Sequence, residues 1–225
     1  MPNDRAVIFA NGILPDLQAA RKILLPGDVY FAADAGAVHI LRLGFLPELV
    51  IGDMDSIPYE ELQVLKNAKV HFLPHPTDKD LTDLELALNT VLVEGYHRLL
   101  IVAGLGGRLD MTLSNLNLLA RPDLAGLEVS MDDGVEQVLP VRHKVTVKGK
   151  AGDSVSLLPW GGPIENVSTS GLRWTLTNAH LDIYETRAVS NEMLSDLAEI
   201  QVGSGFLLVI HRRNSFPGKE KGIGQ

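Results

Sequence analysis

From residue 6 to residue 131 the chain alternates short apolar runs with segments of helical spacing. The runs at 6–10, 29–33, 49–52, 70–73, 99–103 and 127–131 have the length and composition of buried strands. Helical stretches fall between them at 14–25, 36–43, 58–67, 81–92 and 109–120. In the fourth of these Leu81, Leu84, Leu88, Val91 and Leu92 share one face, Asp80 or Thr82 is placed to cap the start, and Gly95 ends it. Such alternation specifies a mainly parallel, Rossmann-like α/β sheet covered by helices on both faces.

After Asp133 the texture changes. Strand-like runs at 135–141, 145–147, 155–158, 172–176, 181–184 and 206–211 are separated by Gly, Pro and Asn about every ten residues, the pattern of an all-β sandwich. The one helix candidate here is 191–197. The expected organisation is an α/β domain over 1–138, a β-sandwich over 139–213, and a polar, Gly/Lys-rich tail at 214–225 expected to be disordered.

Composition narrows the chemistry. The chain has no cysteine, which excludes disulfides, thiolate zinc and a cysteine nucleophile and fits a cytoplasmic protein. Its net charge is −8, against the basic balance a nucleic-acid binder needs to displace phosphate counterions. No apolar run has the roughly 18 residues of a membrane span, and no secretory signal pattern opens the chain. Between Glu48 and Asp110 eleven acidic residues face five basic ones, so most of the negative charge is concentrated in one segment.

In an open parallel sheet, ligands bind beyond the carboxyl ends of the strands. The second predicted strand runs into Asp34-Ala35-Gly36, the third into Gly52-Asp53-Met54-Asp55-Ser56, the fourth toward Asp78-Lys79-Asp80-Leu81-Thr82-Asp83, and the fifth into Gly104-Leu105-Gly106-Gly107-Arg108-Leu109-Asp110. Four successive strands therefore deliver carboxylates to one edge. Carboxylates gathered in one cleft repel, so a cation is expected, and oxygen-only donors point to Mg²⁺ or Mn²⁺ rather than zinc. Magnesium completes its shell with substrate phosphates, which makes a nucleotide the natural companion. The glycines at 104–107 let backbone amides approach phosphate at a helix start, and Arg108 adds a fixed charge. Leu109 stands where a GxGxxG motif has its third glycine, and no P-loop motif is present. His71, His75 and His97 are scattered and fit loop or surface roles; Trp174 fits either a β-domain core or a stacking platform.

These segments, in this order, resemble the thiamine pyrophosphokinase family: Ala33-Asp34-Ala35-Gly36-Ala37, Gly52-Asp53-Met54-Asp55-Ser56, Asp78 to Asp83 and Gly106-Gly107-Arg108-Leu109-Asp110, followed by Ser168 to Trp174 and Arg187 to Glu192. The resemblance implies transfer of a diphosphoryl group from ATP to thiamine, giving thiamine diphosphate and AMP. It implies a homodimer with active sites between protomers. Asp53, Asp55 and Asp83 would bind Mg²⁺; Asp34, Lys79, Thr82, Gly106, Gly107, Arg108 and Asp110 would belong to the nucleotide and phosphate site. Asp110, beside Arg108, is the expected base if one is used. Ser168, Trp174, Ser190 and Asn191 would shape the thiamine site, with Trp174 stacked on the cationic thiazolium, a contact worth about 0.5–2 kcal/mol. Met111 and Ala188-Val189 depart from residues frequent in relatives, and neither touches the proposed metal ligands. A metal-dependent phosphohydrolase and a ligand-sensing module with an inert site are the rival readings.

Overall fold

A wholly apolar run lies in the interior of the first sheet. β1 (Ala6–Phe9) is fully buried and pairs in parallel with β2 (Val29–Ala33) on one side and with the strand Arg98–Val102 on the other. Strands flanked by helices on both faces have no solvent side, which is why these runs are continuous rather than alternating. The computed structural model describes residues 5–76 and 80–214. It divides into two compact units, Met1–Gly134 and Val135–Gln225.

In the first unit β1 and β2 are joined by β3 (Leu49–Gly52), β4 (His71–Pro74), β5 (Arg98–Val102) and β6 (Glu128–Asp132), all parallel, in the order β6-β5-β1-β2-β3-β4. The helices are α1 (Leu17–Ile23), α2 (Gly36–Arg42), α3 (Tyr59–Asn67), α4 (Asp83–Val93) and α5 (Leu109–Leu118). After β1 the chain builds outward through β2, β3 and β4; β5 then returns to the other side of β1. The strand order thus reverses between β1 and β5, the switch point at which open α/β sheets bind ligands.

Local chemistry sets the helix ends. α1 is shorter than the stretch 14–25 because the Asp16 carboxylate caps it, accepting from the amides of Gln18 and Ala19, and because Leu24 is extended ahead of Pro26. At α4, Thr82 rather than Asp80 is the cap and accepts from the Glu85 amide at 3.2 Å. The buried face of α4 is Leu84, Ala87, Leu88 and Val91, whereas Leu81 precedes the helix and is exposed. Among the described residues no helix is long and apolar enough to cross a membrane.

The second unit holds β7 (Glu136–Val141), β8 (Lys144–Lys148), β9 (Ser154–Pro159), β10 (Ile164–Ser170), β11 (Ala179–Leu181), β12 (Asn191–Glu192), β13 (Leu197–Gln201) and β14 (Leu207–Arg212). They form two antiparallel layers, β12-β9-β14-β7 and β11-β10-β13-β8. Val155, Leu157, Leu207 and Val209 of the first pack in one core with Val147, Val167, Ala198 and Ile200 of the second. Residue 138 lies within β7, and the division between units falls before that strand. The segment 172–176 is irregular apart from a bridge between Leu172 and Met193, because its backbone is occupied by side-chain and turn contacts. The helix candidate 191–197 is instead a short strand, a bridge at Met193 and a bend that leads into β13. Thr77, Asp78, Lys79 and the tail beyond Asn214 lie outside the described residues.

One polar cluster is buried in this unit. His211, fully buried on β14, pairs through Nε2 with Asp153 Oδ2 at 2.9 Å. Asp153 also accepts from the amides of Lys150 and Asn214, each at 2.9 Å. Burial pushes the Asp153 carboxyl up, but these hydrogen bonds and the His211 charge outweigh it and hold the group below the usual carboxylate range. A depressed folded pKa gives stability that is present above the unfolded value of about 4 and is lost as pH falls through the lower folded value. Asp153→Asn is therefore expected to destabilise the protein at pH 7, with the gap to wild type narrowing in urea melts taken below about pH 4. A gap that stays constant with pH would show that the carboxylate charge is not what the cluster uses.

Candidate active site

Three L-residues with positive φ stand at the carboxyl ends of the first sheet: Asp34 (φ 49°) after β2, Met54 (φ 62°) after β3 and Ala103 (φ 54°) after β5. Left-handed backbone at non-glycine positions persists only where surroundings over-determine it. At Asp34 the amide donates to Ile51 O at 2.8 Å, which turns its side chain out of the strand. At Met54 the turn sets Asp53 and Asp55 on either side; Asp55 N donates to Asp53 Oδ1 at 3.2 Å and Ser56 Oγ to Asp55 Oδ1 at 3.0 Å.

Carboxylate oxygens of Asp34, Asp53 and Asp55 consequently lie within 4.8 Å of one another. Asp34 is buried, and its Oδ1 has no hydrogen-bond partner among the described residues. Burial raises its pKa, and the charges of Asp83 and Asp53 add to this against hydrogen bonds from Ser56 and Ala35. Asp83, in the first turn of α4, is outside the group of three but approaches the same place. A Cβ on Gly52 (φ 141°) would stand 2.9 Å from Asp83 Oδ1 and 3.2 Å from Asp34 Cβ, so the absence of a side chain there lets the two approach.

The opposite wall comes from β5 and α5. Gly106 and Gly107 both have positive φ, and Arg108 is the N-cap of α5. The Arg108 guanidinium grips Asp110, Nε to Oδ1 at 3.1 Å and a terminal nitrogen to Oδ2 at 2.6 Å. This pairing raises the Arg108 pKa and holds the Asp110 carboxyl below its ordinary value, with the Met111 amide assisting. A cavity of about 430 Å³ separates the walls, lined by Asp34, Thr82, Asp83, Gly106, Gly107 and Arg108. Asp53, Asp55 and Asp110 are not among its lining residues. Lining residues that sequence reasoning did not single out include Gly12, Ile13 and Asn115; no spacing in the sequence reveals that β1 and β5 are neighbours.

In the second unit Trp174 is 58% exposed and belongs to no core. Asn191, only 2% exposed, holds that residue's backbone from both sides: its Oδ1 accepts from Trp174 N at 3.0 Å and its Nδ2 donates to Trp174 O at 2.7 Å. The Arg173 guanidinium lies 5.2 Å from the centre of the Trp174 ring and pairs with Glu192 at 3.1 Å. Ser190 (φ 58°) donates its amide to Ser156 Oγ at 2.9 Å, whereas Ser168 Oγ accepts from Asn178 N at 3.0 Å. The structure thus brings Trp174 and Asn191 into direct contact and ties Ser168 and Ser190 to other partners.

Two family models match this chain in tandem: "Thiamin pyrophosphokinase, catalytic domain" over residues 20–131 and "Thiamin pyrophosphokinase, vitamin B1 binding domain" over residues 142–207. Thiamine pyrophosphokinase 2 of Arabidopsis thaliana is 30% identical over 180 residues, 76% of this chain and 67% of that protein. The chain belongs to the thiamin pyrophosphokinase family. The Bacillus subtilis thiamine pyrophosphokinase is 27% identical over 184 residues, 81% of this chain and 86% of that one. Among solved structures, the fold resembles thiamine pyrophosphokinases from Bacillus subtilis, with a TM-score of 0.83 at 22% identity over 94% of this chain and all of that one. It also resembles that of Geobacillus thermodenitrificans, with 0.81 at 24% identity over 94% of this chain and 98% of that one.

Within this chain the acidic cluster lies inside the catalytic-domain match, and Trp174 and Asn191 inside the vitamin B1-binding match. The cluster's donors fit a hard divalent cation. They are all oxygen, three converge, and one buried oxygen has no hydrogen-bond partner among the described residues.

Proposed function

We propose that the chain transfers the terminal diphosphoryl group of ATP to the hydroxyl of thiamine, giving thiamine diphosphate and AMP. The observation that carries this reading is the convergence of Asp34, Asp53 and Asp55 at the carboxyl edge of a parallel sheet, with Asp34 and Asp83 lining one cavity with a glycine-rich helix start. Asp34, Asp53 and Asp55 would hold Mg²⁺, with Asp83 beside them. When bound, the ion neutralises phosphate charge and orients the chain of phosphates. Glycines 106 and 107 leave backbone amides open to phosphate oxygens, and Arg108 supplies a fixed cation there. Asp110 holds the Arg108 fork in place; its depressed pKa suits that part better than taking a proton from the attacking hydroxyl. Attack on the β-phosphorus in line with the departing AMP then depends on positioning and charge neutralisation, the terms that dominate phosphoryl transfer.

Thiamine's flat thiazolium cation suits the exposed indole of Trp174, held in place by Asn191 through backbone bonds. Trp174→Ala is expected to raise the KM for thiamine about 3- to 30-fold. The thermal midpoint should hardly move, because the ring is outside the core. An unchanged KM would remove Trp174 from the site. The same reading takes the enzyme as a cytoplasmic homodimer with active sites between protomers; a light-scattering mass of one chain would count against the shared site.

The deciding assay incubates the protein with Mg²⁺, ATP and thiamine and follows AMP and thiamine diphosphate by chromatography. Equal formation of both, dependent on thiamine and metal, is expected. ADP with thiamine monophosphate would change the reaction to simple phosphorylation. Phosphate release without thiamine would make the site hydrolytic. Ligand-induced stabilisation with no turnover would make it a sensor.

A further inference from the structure

We propose that His39 and Asn115 are positioning residues that clamp the loops after β1 and β5 into the wall against which ATP binds, a role that rests on assigning the cavity to ATP. The two loops leave neighbouring strands at the point where the strand order reverses, so the chain leads them apart. Three backbone bonds nevertheless continue the β1–β5 pairing beyond the strands: Ala10 N to Val102 O at 2.9 Å, Gly12 N to Ala103 O at 2.8 Å and Ile13 N to Leu105 O at 3.1 Å. The approach is close enough that a Cβ on Gly12 would stand 2.3 Å from Ala103 O.

Each loop is also held by one helix. From α2, His39 Nε2 bonds Gly12 O at 3.0 Å; from α5, Asn115 Nδ2 donates to Gly104 O at 2.8 Å. A carbonyl only accepts, so the imidazole carries its proton on Nε2. His39 does not line the cavity, yet Gly12, whose carbonyl it holds, does. Through Ile13 the clamp reaches the glycine segment, since a Cβ on Gly106 would meet the Ile13 side chain at 3.2 Å. Movement of the Gly12 peptide therefore displaces the surface that the phosphate-binding amides share.

His39→Leu removes the donor and keeps an apolar side chain of similar reach; His39→Gln restores a donor near the Nε2 position. His39→Leu is expected to raise the KM for ATP, and the Kd for MgATP by calorimetry, about three- to tenfold, the effect of one lost hydrogen bond. The KM for thiamine should stay unchanged, and His39→Gln should return ATP binding to within about twofold of wild type. Asn115→Leu should act in the same direction, and the double variant should fall short of the product of the two single effects because both hold one wall. Equal ATP binding by wild type and His39→Leu would overturn the clamp alone, as would a failure of His39→Gln to differ from His39→Leu. Wild type that binds no MgATP would overturn the assignment of the cavity and the clamp with it.

Discussion

Asp55→Asn will lower turnover by about two to three orders of magnitude while the protein stays folded. The two halves of that expectation have separate causes. Asp55 is exposed, and among the described residues its carboxylate accepts a hydroxyl bond from Ser56 that an amide oxygen can also accept. The substitution also removes one of three negative charges packed within 4.8 Å, so without metal the thermal midpoint should hold or rise. With millimolar Mg²⁺ the order should change: wild type gains stability by binding the ion, and the variant gains little. Differential scanning fluorimetry with and without Mg²⁺, beside the AMP assay, reads both. Near-normal turnover, or an equal Mg²⁺ shift in both proteins, would take Asp55 out of the metal site.

Gly36→Ala, one methyl group added at the start of α2, should be among the most damaging single changes in the chain. The new Cβ would stand 1.9 Å from Phe9 O and 2.6 Å from Phe9 C. Both are backbone atoms of the central strand β1, where Phe9 is fully buried, so nothing at the end of a flexible side chain can move aside. Relief requires shifting α2 or β1, and a loss of at least about 3 kcal/mol follows. For a chain of this size that lowers the thermal midpoint by roughly 6–12 °C. Gly162→Ala is the matched control, since its Cβ would meet nothing within 4 Å. Similar midpoints for the two variants would mean that α2 does not rest on β1 this tightly.

Much of the first unit was legible because both-face burial writes itself as continuous apolar runs, and every predicted strand there has a counterpart in the sheet. The second unit was harder for reasons that particular strands show. β13 reads Leu-Ala-Glu-Ile-Gln; Ala198 and Ile200 are buried in alternation, but Ala and Glu are poor β formers and conceal it. In β10, Asn166 (φ 56°) and a register shift between Ile164 and Val167 break the period of two. At the site, Asp34, Asp53 and Asp55 follow strands directly and could be located by reading the chain. Gly12, His39 and Asn115 could not, since their relation depends on β5 lying beside β1.

The grip of Asn191 on Trp174 reaches only the main-chain nitrogen and oxygen of that residue. Any residue except proline, which lacks the N–H, can make both bonds, so the loop can keep its shape while a different side chain is displayed. Position 174 is in effect a socket, in which the scaffold is indifferent to the fitting it carries. A gene can therefore change the ring presented there by a single codon and explore other flat cations as substrates without first rebuilding the loop.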